Sequence, residues 1–280
     1  DAYPLVKDEH VAKQLVLAGP VQAQDGSELA KLAKEARSAM YSGQYENAIV
    51  LAKLVLSKDD HHVPAMLTLA TSYYFLGKRE LSAAIVGISQ TIDANNAEAY
   101  VLLGYLALGK DDRIAATAAF KKATELDAGM GLAWHNLSAM YLLAKNYEQA
   151  LFACERSTVL LPGLSGTQLN FGSALRGMKR YIDADTAYKK VLSAEPQNTD
   201  ALFNLGILYI DAPSMPGFDS VSQRMIAIRY LESYLDAIGP RGPRDESAEA
   251  YIKDARAQLE REQRRQKKKP SPTPPAEGSP

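Results

Sequence analysis

Six small residues stand 34 positions apart along this chain: Ala36, Ala70, Gly104, Ser138, Gly172 and Gly206. A second set, Ala48, Ser82, Ala116, Ala150 and Ala184, keeps the same period twelve residues further on. Helices whose axes approach to about 8–10 Å leave no room for a Leu at the crossing point, so a small residue recurring on each of two helices marks a recurring helix pair. Each unit also carries apolar stripes on both helices, as with Leu137, Tyr141 and Leu142 and then Ala150, Leu151 and Cys154 in the fourth. One pair alone cannot cover such stripes, whereas stacked neighbours bury them in a continuous core. The expected fold is therefore all-α: an α-solenoid of stacked antiparallel helix pairs, lined on its inner face by the first helices and ended by a C-terminal capping helix.

The larger residues keep phase with the small ones. The fourth unit reads Trp134, Leu137, Ser138, Tyr141, Ala150, Cys154 and Pro162, and the third reads Tyr100, Leu103, Gly104, Ala116, Phe120 and Ala123. The fifth keeps Phe171, Gly172, Tyr181, Ala184, Tyr188 and Pro196, and the sixth opens with Leu202, Leu205, Gly206 and Tyr209. These residues resemble the tetratricopeptide repeat, W-x2-L-G-x2-Y followed by A-x3-F and P, with Ser for Gly and Cys for Phe in the fourth unit. The resemblance implies a tetratricopeptide superhelix that binds protein or peptide segments on its concave side.

The units are expected over 29–62, 63–96, 97–130, 131–164, 165–198 and 199–242, with breaks inside them at Gly43, Gly77, Asp111 with Asp112, and Lys145 with Asn146. Residues 1–28 read as a linker with a lead-in helix over Asp8–Ala18 that ends at Gly19 and Pro20. A start at Asp1 reads as a processed or trimmed chain. In the sixth unit the second small residue is best matched by Ala227, which implies about nine added residues around 212–222. Pro213, Ser214, Pro216, Gly217 and Asp219 make that insertion a loop. It is either a tolerated surface insertion or a binding loop that offers Met215 and Phe218 to a partner. A capping helix follows within 243–269, with Ala248, Tyr251, Ile252, Ala255 and Leu259 as its stripe. It turns basic: over 252–270 eight Lys or Arg oppose three acids. A Pro-rich tail at 270–280 is expected to be disordered.

Chemistry of other kinds finds little support. The four histidines and the single Cys154 fall at no zinc spacing, and no Gly-rich phosphate loop is present. His61 and His62 read as solvated turn residues. Cys154 stands where the repeat places a packing aromatic and reads as buried and inert. No cofactor, metal or catalytic residue is expected. A net charge of -1 gives no general pull toward nucleic acid, and the basic stretch reads as a solvated helix end, with weak attraction to phosphates or anionic lipid as the alternative.

In the tetratricopeptide repeat the second, fifth, ninth, twelfth and thirteenth positions of a unit face the groove. Carried over, the resemblance implies a partner site of Leu67, Tyr74, Phe75, Val101, Tyr105, Leu108, Leu132, His135, Leu142 and Leu143, with Arg37 and Arg176 near its ends for acidic flanks of a ligand. Related co-chaperones clamp a terminal carboxylate with Lys at the fifth place and Asn at the ninth. Ala33, Leu67, Val101, His135, Leu169 and Phe203 hold the fifth here, so that clamp is absent as a set. An oily groove of this kind is a candidate partner site, and the alternative is that its side chains pack between neighbouring first helices.

The function these features imply is a non-catalytic interaction scaffold that takes an apolar or amphipathic protein or peptide segment, within a multiprotein assembly and with self-association through its end units as a third reading. The competing reading is the regulatory or substrate-recruiting part of an enzyme whose catalytic domain lies elsewhere. The Ala-rich units and the Lys- and Pro-rich tail are also similar to bacterial tetratricopeptide lipoproteins of envelope and gliding-motility machines. That similarity implies a periplasmic, membrane-tethered adaptor.

Overall fold

The computed structural model describes residues 28–239 and 246–268. The expected lead-in helix over Asp8–Ala18, the side chains of the basic run beyond Arg264 and the tail over Pro270–Pro280 lie outside them. Every regular element among the described residues is a helix. In chain order these are α1 (Glu28–Tyr41), α2 (Tyr45–Lys58), α3 (Val63–Phe75), α4 (Arg79–Ile92), α5 (Ala97–Leu108), α6 (Arg113–Leu126), α7 (Gly131–Leu143), α8 (Tyr147–Leu160) and α9 (Ser165–Gly177). They continue with α10 (Tyr181–Ala194), α11 (Thr199–Asp211), α12 (Ser220–Ile238) and α13 (Glu246–Lys268). The chain divides into two compact units between Met178 and Lys179.

Turn chemistry sets the helix ends. A left-handed residue follows the first helix in five of the pairs, with φ of 74° at Gly43, 73° at Gly77, 57° at Asp111, 56° at Lys145 and 61° at Lys179, whereas α11 ends at Ala212 in extended backbone. These five positions are again 34 apart, and a left-handed residue just past a helix end lets the chain reverse at once. Several helix starts are capped from side chains. Asn96, Asp112, Asn146 and Asn198 accept from the backbone N–H three residues on, at 3.2, 2.9, 3.4 and 2.9 Å. His62 does the same through Nδ1 for the Ala65 N–H at 3.1 Å. Thus His62 is a helix cap, whereas His61 is an exposed neighbour of Asp60.

In the first unit α1 packs on α2, α3 on α4, α5 on α6 and α7 on α8, each second helix then lying against the next first helix. The small residues sit at these crossings: Ala36, Ala48, Ala70, Ser82, Ala116, Ser138 and Ala150 are all 0% exposed. Gly104 shows why no larger residue fits, since a Cβ there would lie 2.4 Å from the ring of Phe120, itself fully buried. Around these crossings Val63, Leu67, Tyr74, Val86, Leu102, Leu106, Phe120 and Leu137 join in one core that runs from α3 to α7. Cys154 is fully buried beside Leu142, Ala150 and Ala174, and burial pushes its thiol up to about 12.

In the second unit α11 crosses α12 with Gly206 against Leu231 and the Ala227 carbonyl. Ala227 itself is fully buried. The residues between the two helices are tied down: Gln223 Nε2 donates to the carbonyl oxygens of Tyr209 at 3.1 Å and Ala212 at 2.6 Å. Met215 is 5% exposed. This corrects the reading in which Met215 is offered to a partner, because its side chain is used to seat the loop. Phe218 is 41% exposed and meets Tyr209 edge-on. The stripe of α13 faces the α11–α12 core, with Ile252 and Ala255 buried beside Ile207, Ile228 and Leu231.

Two glycines in helices of the first unit separate packing from propensity. A Cβ added at Gly87 in α4 would meet nothing within 4 Å, so Gly87→Ala should stabilise by about 0.5–1 kcal/mol through helix propensity. Gly104→Ala gains the same propensity but overpacks against Phe120, for a net loss of about 1–2 kcal/mol. Urea unfolding followed by helical circular dichroism reads both; equal signs would contradict the crossing geometry.

Candidate functional site

The first helices α1, α3, α5 and α7 present side chains to a common cleft in the first unit. Its lining combines Arg37, Met40 and Tyr41 of α1, Leu67, Thr68, Thr71, Tyr74 and Phe75 of α3, Glu98, Val101, Leu102 and Tyr105 of α5, and Met130 and Leu132 at the start of α7. Its cavity volume is about 50 Å³, several times the roughly 10–15 Å³ that holds a single water. That suits one inserted side chain, not a whole helix.

An aromatic ladder forms one wall. Tyr45 stacks on Phe75 with centroids 5.0 Å apart, Phe75 meets Tyr74 edge-on at 5.5 Å, Tyr74 tilts on Tyr105 at 6.0 Å, and Tyr105 meets Phe120 edge-on at 5.5 Å. Such contacts favour offset or edge geometry and fix the rings in place. Asn136 Nδ2 donates to the Tyr105 hydroxyl at 2.7 Å, both groups being buried. Burial raises the Tyr105 phenol well above its ordinary range, so it stays a neutral hydroxyl.

At the rim Arg37 pairs with Glu98, and its Nε donates to the Tyr41 hydroxyl at 2.9 Å. Burial opposes the charge on Arg37, but the Glu98 carboxylate outweighs it and the guanidinium is held above its usual value. The Tyr41 phenol is also raised, chiefly by burial.

Leu67, Tyr74, Phe75, Val101, Tyr105 and Leu132 of the expected partner site all line this cleft, together with Arg37. Most are walls, not exposed grips: Leu67, Tyr74, Val101, Tyr105 and Leu132 are each no more than 6% exposed, and Phe75 is half-buried. Leu108 and Leu143 pack against the α3–α7 core and do not reach the cleft. Two expectations are corrected outright. Leu142 is fully buried against Ala150 and Cys154, because its place in α7 turns it toward α8. His135 is 2% exposed, closed over near Gly166 of α9. Arg37 is already paired inside the chain, and Arg176 lies in the last turn of α9, away from the cleft. Sequence reasoning misses Thr71 and Glu98, although they occupy the ninth and second positions of their units; a search for an oily groove passes over polar residues. It misses Tyr41 as well, at the thirteenth place of the first unit.

Among the described residues no group of three or more His, Cys, Asp or Glu is placed to hold a metal ion, and no helix is long and apolar enough to cross a membrane. The groups with large shifts, His135, Tyr105 and Cys154, are buried and driven toward their neutral forms.

The family model of the tetratricopeptide repeat matches residues 97–129 and 166–198. No curated protein matches the sequence significantly. Among solved structures, pilF of Pseudomonas aeruginosa superposes with a TM-score of 0.64 at 18% identity, over 82% of this chain and 97% of that one. YrrB, described as a TPR protein with an unusual peptide-binding site, gives 0.58 at 17% identity, over 74% and 97%. The APC/C hetero-tetramer Cut9–Hcn1 gives 0.63 at 14% identity over 89% of this chain, which spans only 45% of the matched chain. At these identities the likeness is one of fold: stacked helix pairs of tetratricopeptide type.

Neither ring nitrogen of buried His135 has a hydrogen-bond partner among the described residues. Burial lowers its pKa to about 4, below the ordinary 6.5. The unfolded chain therefore takes up this proton first: stability is full above pH 6.5, falls as the pH drops below it, and has lost about 3 kcal/mol from this group by pH 4. Urea midpoints at pH 7.5 and 4.5 should differ less in His135→Leu than in the wild type; an identical pH dependence would contradict the assignment.

Proposed function

We propose that this chain is a non-catalytic protein–protein interaction scaffold that takes an apolar or amphipathic partner segment in the first-helix cleft, as part of a larger assembly. The observation that carries the reading is the cleft itself: a pre-formed slot with rigid aromatic walls and half-open edges at Tyr41, Thr71 and Phe75. A site that exists before binding avoids the cost of ordering loops around a ligand. Its apolar lining and open edge suit a single apolar side chain as anchor, with the rest of the segment lying across α1, α3 and α5. The six units over 29–62 to 199–242 serve as the repeat frame of this scaffold. Among the described residues the strongly shifted groups, His135, Tyr105 and Cys154, are buried and driven toward their neutral forms. The peptide-binding site named for YrrB and the hetero-tetramer named for Cut9–Hcn1 fit the same use of the fold. Tethering at a bacterial envelope belongs to this proposal on the Ala-rich units and the Lys- and Pro-rich tail alone.

Replacing Tyr74 or Tyr105 would break core packing along with the site, since both are almost fully buried. Thr71 is the better probe, being half-buried on α3 at the cleft edge. Peptides selected on the wild-type protein from a random library should be rich in aromatic or Leu anchors. They should bind Thr71→Arg about tenfold more weakly, a loss of about 1.4 kcal/mol, with the melting temperature kept. Selected peptides that bind Thr71→Arg as well as the wild type would rule the cleft out.

A further inference from the structure

We propose that the cleft reads an acidic side chain as well as an apolar one: the partner segment carries an Asp or Glu beside its bulky anchor, and that carboxylate replaces Glu98 on Arg37. The inference rests on the binding reading above and names the chemistry of its ligand. Of all the residues lining the cleft, only Arg37 and Glu98 are charged. They pair with each other across 61 positions of sequence, joining α1 to α5 past α3.

The two partners are held unequally. Arg37 is fixed on its own helix by the Tyr41 hydroxyl at 2.9 Å, its guanidinium lies 5.5 Å from the Tyr41 ring centroid, and its side chain is 20% exposed. Glu98 is 34% exposed, and its only hydrogen-bond partner among the described residues is Arg37. Opening the pair therefore has one easy direction. Glu98 can turn into water from the first turn of α5, where the helix dipole still favours a negative charge. Arg37 cannot follow, and left alone beside apolar walls it would be an uncompensated, half-desolvated charge.

What the site accepts follows from that asymmetry. An incoming carboxylate restores the lost pair, so the exchange is close to neutral electrostatically, and the apolar anchor entering the slot supplies the net gain. An incoming Lys or Arg would have to draw Glu98 off Arg37, which strands the guanidinium, so the cleft selects against basic segments. The group now seated on Arg37 is a side-chain carboxylate on a flexible stem, and the occupant is the same group from another chain. Glu98 in this role is a built-in competitor for Arg37, which an acidic segment displaces.

Arg37→Gln and Glu98→Gln break the same ion pair, so a merely structural role would move both variants alike. A random library of C-terminally amidated peptides, selected on the wild-type protein, removes the chain terminus as a source of negative charge. The expected pool is enriched in Asp or Glu within a few positions of an aromatic or Leu residue. Those peptides should bind Glu98→Gln about tenfold more tightly and Arg37→Gln about tenfold more weakly. A pool without acidic enrichment, or affinities that shift in the same direction in both variants, would overturn the inference while leaving an apolar cleft standing. Insensitivity to Thr71→Arg as well would remove the cleft reading with it.

Discussion

Close approach of two helix backbones is the constraint from which the rest of this structure follows. Where Gly104 passes under Phe120, or Gly206 under Leu231, one added carbon would sit inside the neighbour's van der Waals envelope. Paired helices held this tightly leave their remaining apolar faces no choice but to meet the next pair. The 34-residue period is thus a packing distance written along the chain. The left-handed residues at Gly43, Gly77, Asp111, Lys145 and Lys179 serve the same end, because a pair that crosses tightly needs an abrupt turn.

The same stacking makes the cleft. First helices aligned by a constant repeat bring the same few positions of successive units together, and in the first unit these are filled by Leu67, Tyr74, Val101 and Tyr105. Their rings and branches mostly serve each other, and a narrow slot remains among them. Polar detail then decides what the slot is for. Asn136 fixes the Tyr105 hydroxyl from beneath, and the Arg37–Glu98 pair closes one edge. A surface that is rigid, apolar and charged at a single point is suited to recognition, and the burial of His135 and Cys154 keeps their chemistry away from it.

Periodicity makes the fold legible in the sequence and makes only part of the site legible. Small residues at crossings leave a signal that no other packing explains, and even the displaced Ala227 is found by it. Facing direction is harder. Leu142 and Leu143 are neighbours in sequence, yet one is sealed against α8 and the other packs on the α3–α7 core. His135 is polar and falls at a groove position of the repeat, but the start of α9 covers it. Pairings between distant units are not written in any local pattern, so Arg37 reads as a free cation in the sequence, whereas it is bonded to Glu98 two repeats away. The turn residues are mixed: Asp111 and Lys145 are read as breaks from the polar residues beside them, whereas Lys179 holds the same left-handed conformation without a Gly to announce it.

Hydrogen exchange of the protein, with and without a peptide selected on it, tests the central claim most directly. The account predicts protection confined to the cleft-facing turns of α1, α3 and α5 and the start of α7, around Arg37, Thr71, Glu98 and Leu132. Protection that falls instead on the outer faces of the second helices, where Val50, Ile88, Phe152 and Val159 stand exposed, would contradict it.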